Sequence, residues 1–309
     1  MPLSLVEEML SGSRVALARL LSRVENHRDQ SGDILRYIGS HIGKAVRIGF
    51  TGPPGAGKSS LVAAYAKQLR GLNHRVGILA VDPTSPFSGG ALLGDRVRMT
   101  SVSTDQNVFV RSVATRGDLG GLAEAAGDMA DVLDAAGYDT ILFETVGVGQ
   151  SELEIVQYAD CTVVVLVPES GDAIQGMKAG LMEIADVFVV NKADREGADR
   201  FAADLRAAMH LKSWGNWTPP AVLTVAVRNE GLSEFHEQVM RYLEFLRTTG
   251  QFEQRRADRI RRRVRKFVEQ QLTSQFWTDE RLQKLETAIR LNRSPYEIGQ
   301  EFLENPNRG

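Results

Sequence analysis

The stretch that most constrains this chain is the run VRIGFTGPPGAGKSSL at residues 46–61. An apolar, β-branched segment leads into a glycine-rich turn that fits the pattern G-x-x-x-x-G-K-[ST], and a helical pattern follows, as this motif requires. In such a turn the glycines let the backbone wrap closely around a phosphate, while loop amides, the helix N-terminus and the lysine attract its negative charge. The run therefore predicts a phosphate-binding loop made of Gly52, Pro53, Pro54, Gly55, Ala56, Gly57, Lys58, Ser59 and Ser60.

Strand-like and helix-like segments alternate from residue 46 onward, which is typical of an α/β fold with a mainly parallel sheet covered by helices on both faces. Several strand candidates are continuous apolar runs, as expected for strands that are buried on both sides. In such sheets the functional loops lie at the carboxyl ends of the strands. The predicted strands are residues 46–50, 76–81, 108–113, 140–145, 162–167, 187–190 and 221–225.

The two ends of the chain differ from this alternating part. Residues 1–44 carry two helical patterns separated by a polar stretch at 27–32, and we predict that they form a helical cap. The helical segment 251–272 has eight basic and three acidic residues around an apolar stripe. A basic helix can bind nucleic acid, but we favour a solvated face on a helix whose stripe packs against another helix or subunit. The predicted domains are therefore 1–44, 45–248 and 249–309.

The segment Asn191-Lys192-Ala193-Asp194 directly follows a buried strand candidate. It has the N-K-x-D pattern of guanine-nucleotide proteins, in which the aspartate accepts hydrogen bonds from the guanine N1–H and exocyclic amine. Adenine has no such pair of donors, and a site built for them penalises a base that leaves its polar atoms unpaired. Together with the phosphate loop, the segment predicts GTP and GDP as ligands, with Asn191, Lys192 and Asp194 at the base. The backbone amide of Ala226, after the next strand, is predicted to complete this recognition.

Three acidic residues at or just beyond strand ends are candidates for a magnesium site. Asp82 ends one strand candidate, Asp95 follows three glycines, and Glu144 begins a segment E-T-V-G that resembles the D-x-x-G of ordinary GTPases. Magnesium prefers oxygen ligands and keeps several waters, so one hydroxyl, one or two carboxylates and the nucleotide phosphates suffice. We predict that Ser59, Asp82, Asp95 and Glu144 surround Mg²⁺, and that Gly147 offers its amide to the γ-phosphate.

The overall charge and the targeting signals bear on partners and compartment. The formal net charge of −2 gives no overall field favouring nucleic acid or membranes, so any charge-driven contact must be local. The single cysteine, Cys161, cannot form an internal disulfide, and no apolar run approaches the roughly 18–20 residues that span a bilayer. The opening MPLSLVEEML is acidic where a secretory or mitochondrial signal would be basic. We predict a cytoplasmic protein that binds neither nucleic acid nor membranes.

Nearly the whole chain resembles the MeaB/ArgK family through six motifs in the same order: GPPGAGKSS, VDPTSPFSGGALLGDRVRM, TRGDLGGL, ETVGVGQSE, GDAIQGMKAG and NKAD. Members of this family are GTPase chaperones of methylmalonyl-CoA mutase and related adenosylcobalamin-dependent acyl-CoA mutases. The resemblance implies a P-loop NTPase domain of the SIMIBI type, a helical N-terminal extension, and a C-terminal helical arm that forms a homodimer. It also implies that GTP binding and hydrolysis are coupled to loading of intact B12 into the partner mutase, to removal of damaged cofactor, and so to protection and reactivation of that mutase; the cofactor belongs to the mutase.

The resemblance also assigns roles in hydrolysis. It places Lys58 and Glu144 in the catalytic set and makes the polar loop after residue 168 an additional switch, in which Asp172, Gln175 and Lys178 respond to the mutase and support hydrolysis. Their spacing by three alone indicates one side of a helix, for which a solvated face is the default.

Two questions stay open in the sequence. The client is the methylmalonyl-CoA, isobutyryl-CoA, 2-hydroxyisobutyryl-CoA or ethylmalonyl-CoA mutase. A rival interpretation is a nickel-insertion GTPase for hydrogenase or urease, but one cysteine and five scattered histidines supply no convincing soft-metal cluster.

Overall fold

Seven parallel strands form one sheet in the computed structural model, which describes residues 2–26, 28–82, 99, 102–114, 119–145, 157–168, 179–210 and 214–304. In chain order they are β1 (Val46–Thr51), β2 (Val76–Asp82), β3 (Val108–Ala114), β4 (Thr140–Thr145), β5 (Cys161–Leu166), β6 (Val187–Asn191) and β7 (Ala221–Thr224). Across the sheet they follow the order β3-β2-β4-β1-β5-β6-β7, and each pairing between them is parallel. The predicted parallel α/β fold is confirmed, and every strand lies within one residue of its predicted bounds.

Helices cover both faces of this sheet. They are α1 (Pro2–Leu10), α2 (Arg14–Asn26), α3 (Arg28–Ile38), α4 (Lys58–Gly71), α5 (Leu119–Ala135), α6 (Ala179–Ile184), α7 (Ala198–His210) and α8 (Leu232–Thr248). Three further described helices follow in the chain: α9 (Gln251–Phe276), α10 (Asp279–Arg290) and α11 (Pro295–Glu304). Side chains alternate between faces along a strand, so Phe50 and Leu142 share one core with α4 and α8. Ile141 and Phe143 share the opposite core with α1, α2, α3 and α5. Among the described helices, none has the length and apolar composition needed to cross a bilayer.

The N-terminal region forms three helices and not the predicted two, because the first predicted helical pattern is divided at residues 11–13. Gly12 has a φ of +101°, a conformation that side chains disfavour, and it lies between α1 and α2. α2 ends at Asn26 and α3 begins at Arg28, so residues 28–32 of the polar stretch belong to a helix and not to a connection between helices. Leu17, Leu20 and Leu21 of α2 are buried in the same core as α5.

A buried charged cluster ties this region to the sheet. Arg47 Nη2 of β1 donates to Asp131 Oδ1 at 2.5 Å and lies 3.8 Å from Asp134 Oδ2, both of α5. Asp134 also accepts hydrogen bonds from the backbone amides of residues 43–45, at 2.7, 3.2 and 3.0 Å. Since residues 43–45 lead from α3 into β1, one carboxylate fixes this connection on α5.

The chain divides into two compact units, residues 1–252 and 253–309. In the second unit Phe276, Trp277 and Phe302 pack ring against ring, with centroids 5.2, 6.3 and 5.5 Å apart. Large apolar side chains of α9 are 46–60% exposed: Ile260, Val264, Phe267, Val268 and Leu272. The division at residues 44 and 248 stays a prediction.

Candidate functional site

The predicted phosphate loop connects β1 to α4, and two of its glycines hold positions that a larger residue would not fit. Gly52 has a φ of +136°, and a Cβ there would lie 2.1 Å from the carbonyl oxygen of Val165 in β5. Gly57 precedes α4 with a φ of +85°, and its Cβ would lie 2.4 Å from Asn191 Nδ2. The glycines therefore let the loop approach β5 and the end of β6 closely.

Lys58 and Ser59 begin α4 at the end of this loop, and both are buried, at 6% and 5% exposure. Lys58 Nζ donates to the carbonyl oxygens of Gly52 and Pro53 at 2.7 and 3.0 Å. Its ammonium group is thus held against the loop backbone, next to the amides at the start of α4. This arrangement places positive charge where a phosphate group would bind.

The hydroxyl of Ser59 donates to Glu144 Oε1 at 2.5 Å, although the two residues are 85 positions apart. Glu144 lies in β4 opposite Phe50 of β1, and it points to the α4 side of the sheet as Leu142 does. A hydroxyl and a carboxylate, both buried at the start of α4, are the oxygen donors that magnesium prefers. Ser59 and Glu144, the two residues of the predicted magnesium site whose side chains are described, therefore fit a Mg²⁺ ion.

Asn191 at the end of β6 joins the phosphate loop to the loop after β7. Its Nδ2 donates to the carbonyl oxygen of Ala56 at 2.9 Å. Its Oδ1 accepts from Thr224 Oγ1 and from the Ala226 amide, both at 3.2 Å. With 2% exposure, this side chain is a buried connector between the two loops. Sequence reasoning missed Thr224, although its place at the end of the predicted strand 221–225 was a usable signal.

Lys192 and Asp194 follow Asn191 in the order that base recognition requires. Lys192 has a φ of +58°, and its Cε lies 3.9 Å from the place that a Cβ on Gly57 would occupy. Asp194 Oδ2 accepts from Arg228 Nη2 at 3.3 Å, with Asp194 32% and Arg228 58% exposed. Asn191 and Lys192 therefore lie beside the phosphate loop. Asp194 contacts Arg228, a neighbour that sequence reasoning did not identify.

The backbone amide of Ala226, which is predicted to contact the base, has a hydrogen-bond acceptor within the protein. The Ala226 amide donates to Asn191 Oδ1, and Ala226 begins a short 3₁₀ turn, Ala226–Arg228. The role of Ala226 in reading the base stays a prediction.

The helix that follows the phosphate loop contacts α8 through Tyr65, which is buried, and His236, which is half-buried. The Tyr65 hydroxyl of α4 lies 3.0 Å from His236 Nδ1 of α8, within hydrogen-bond distance. Burial raises the pKa of the Tyr65 phenol above its usual range, and burial, with a contribution from His74, lowers the pKa of His236. Both groups are therefore neutral near pH 7, and their contact holds α4 on α8 without a buried charge.

Several predicted site residues lie outside the described part of the chain. They are Asp95, Gly147, Asp172, Gln175 and Lys178. For Asp82 the structure describes the backbone, at the end of β2, and not the side chain. Their roles stay predictions.

A comparison with protein-family models matches residues 16–281 to MeaB, the methylmalonyl Co-A mutase-associated GTPase. This chain belongs to the MeaB family. The predicted family is confirmed, and the MeaB-family protein is a GTPase with a P-loop fold.

Relatives and a solved structure agree with this assignment. A Pyrococcus abyssi protein described as a GTPase is 50% identical over 268 residues, which cover 85% of this chain and 83% of that one. GTPase ArgK of Escherichia coli is 33% identical over 284 residues, covering 89% and 86% of the two chains. A crystal structure of an LAO/AO transport system kinase matches with a TM-score of 0.76 at 26% identity, covering 98% of this chain and 96% of the other.

The nickel-insertion interpretation requires a group of soft metal ligands. Within the described ranges, no three His, Cys, Asp or Glu side chains come together as a metal-binding group. The described residues of this MeaB-family GTPase therefore give that interpretation no site.

Proposed function

We propose that this GTPase couples GTP binding and hydrolysis to the loading of adenosylcobalamin into a B12-dependent acyl-CoA mutase and to the protection and reactivation of that mutase. The observation that carries the proposal is the match of residues 16–281 to a family described as associated with methylmalonyl-CoA mutase. B12 would belong to the mutase, whereas GTP, GDP and Mg²⁺ would bind to this chain.

The nucleotide would bind along the carboxyl ends of β1, β4 and β6. Lys58 and the loop amides would contact the phosphates, while Asp194 would accept the N1–H and amine of guanine. The Ala226 amide stays the predicted donor to the guanine oxygen. Ser59 and Glu144, with Asp82 and Asp95 as further predicted ligands, would hold Mg²⁺.

Hydrolysis of a phosphoanhydride by water depends mainly on positioning and on neutralising charge. Lys58 Nζ now contacts two loop carbonyls, and we expect it to turn to the β- and γ-phosphate oxygens when GTP enters. Bound Mg²⁺ would supply further neutralisation of charge at these oxygens. We assign Asp172, Gln175 and Lys178 to a switch that the mutase orders, so hydrolysis is slow until the partner binds.

The proposal is tested by measuring GTP turnover at saturating GTP with each of the four candidate mutases in its cofactor-free form. We expect one mutase to raise turnover at least about ten-fold, since groups ordered by a partner raise GTPase rates by far more in other systems. An acyl-CoA enzyme that does not use B12 serves as the control. Equal turnover with and without all four mutases would contradict the mutase assignment.

We also propose that the protein is a homodimer formed through the exposed apolar side chains of α9. A truncation is a poor test, because Phe252 is buried in the core of the first unit. The full chain with Ile260→Ser and Phe267→Ser removes two side chains that are each 60% exposed, and we expect it to be monomeric by light scattering. The control, Val15→Ser with Leu72→Ser, alters apolar side chains that are 62% and 51% exposed elsewhere and should stay dimeric. A dimer of the first variant would count against this interface.

A further inference from the structure

Arg228 holds the carboxylate that is predicted to read the base. Its Nη2 lies 3.3 Å from Asp194 Oδ2. Arg228 ends the 3₁₀ turn after β7, whereas Asp194 lies in the loop after β6. The hydrogen bond from Thr224 to Asn191 and that from the Ala193 amide to the Thr224 carbonyl hold these two loops together. The ion pair is therefore placed by fixed backbone on both sides.

The guanidinium of arginine and the edge of guanine present the same donors to a carboxylate. Guanine offers N1–H and the amine on C2, which are two N–H groups on nitrogens attached to one carbon. A guanidinium offers the same fork, with a positive charge. Arg228 contacts Asp194 through one nitrogen, Nη2, and one oxygen, Oδ2, so it engages one of the two oxygens that guanine would use.

We infer that Arg228 is a built-in competitor for the guanine base: its ion pair with Asp194 must break before guanine can bind. This inference rests on the proposed reading of guanine by Asp194. Occupation of Asp194 by Arg228 divides the nucleotide-free molecules into a paired fraction and a fraction that is competent to bind. The observed association constant equals the intrinsic association constant multiplied by the competent fraction.

The competition has a kinetic signature. Side-chain exchange in exposed residues takes picoseconds to nanoseconds, so pairing is in equilibrium before the nucleotide arrives. Arg228 then lowers the association rate and leaves the dissociation rate unchanged. Because exposed ion pairs contribute little, we expect the effect to be about three-fold.

The test compares Arg228→Gln with the wild-type protein by stopped-flow fluorescence, using GDP labelled on the ribose with a methylanthraniloyl group. We expect Arg228→Gln to bind about three-fold faster with the same dissociation rate, and the difference to shrink in high salt, which screens exposed charges. Arg200→Gln removes the same charge from an exposed position on α7 and should match the wild-type protein. Unchanged association, or faster dissociation, in Arg228→Gln would overturn the inference.

A second pair of variants separates this inference from the reading of guanine itself. Asp194→Asn, tested with GDP and xanthosine diphosphate, reports whether residue 194 reads the base. If the preference changes in Asp194→Asn while Arg228→Gln leaves association unchanged, only the competitor role fails; an unchanged preference defeats the reading of guanine. In the Asp194→Asn background, Arg228→Gln should no longer alter association of xanthosine diphosphate. A persistent effect there would mean that Arg228 does not act through Asp194.

Each variant is also unfolded in urea. A midpoint equal to that of the wild type shows that the variant is not generally destabilised.

Discussion

Replacing Asp194 with asparagine is expected to reverse the base preference of the protein from guanine toward xanthine. The carboxylate would accept two hydrogen bonds from guanine, whereas an amide offers one acceptor and one donor, which match the N1–H and the C2 oxygen of xanthine. A site that pairs with polar groups of a ligand strongly rejects an analogue that leaves them unpaired. Since Asp194 is 32% exposed, the penalty is smaller than in a fully buried site, and we expect GDP affinity to fall about 100-fold.

The measurement is a titration of wild-type and variant protein with GDP and xanthosine diphosphate under one salt concentration. Asp204→Asn is the matched control, because Asp204 is exposed on α7 and lies away from the candidate base site. It should keep the wild-type preference for GDP. A variant at Asp194 that still prefers GDP by the wild-type ratio would show that the N-K-x-D segment does not read the base.

The sheet and the phosphate loop were predictable because their signals are local. Buried parallel strands are continuous apolar runs, and each of the seven runs became a strand within one residue of its predicted bounds. The loop motif specifies its own strand and helix, so Gly52, Lys58 and Ser59 lie where the pattern requires. Because loops meet at the carboxyl ends of parallel strands, Glu144 was predicted to lie near Ser59, and the two side chains form a hydrogen bond.

The contacts between loops were not predictable, because they depend on distances between segments far apart in the chain. Asn191 contacts Ala56 across 135 positions, and only the folded structure shows that the Ala226 amide already has Asn191 as its acceptor. The pairing of Arg228 with Asp194 likewise depends on the order of β6 and β7 in the sheet. At the N-terminus, apolar periodicity gave the helical character correctly. It did not show the break at Gly12, which is a matter of backbone conformation.

Asn191→Ala is expected to damage both stability and nucleotide binding, and these two effects have one cause. The amide side chain makes three hydrogen bonds in a buried site, to Ala56, Thr224 and Ala226. Alanine would leave the Ala56 carbonyl and the Ala226 amide without this partner, and buried polar groups that lose a partner cost about 1–3 kcal/mol each. We therefore expect the free energy of unfolding to fall by about 2–4 kcal/mol.

Binding should fall because the same three hydrogen bonds are lost. The phosphate loop must hold the phosphates of a nucleotide while the loops after β6 and β7, together called the base loop, hold its base. Asn191 is the side chain that joins the phosphate loop to the base loop. A shift of about 1 Å between two groups that act on one ligand can cost about 100-fold, so we expect a loss of GDP affinity of that order. Asn191→Asp discriminates further, because it keeps an acceptor for Thr224 and Ala226 but places a carboxylate oxygen against the Ala56 carbonyl.

The two effects are separated by measuring urea unfolding without nucleotide and GDP binding at a temperature at which the variants stay folded. Asn216→Ala, at an exposed position, is the control and should change neither quantity. If Asn191→Ala lowered stability and left GDP affinity intact, Asn191 would be a structural residue of β6 and β7 only. The asparagine of N-K-x-D then would not position the phosphate loop for the base loop.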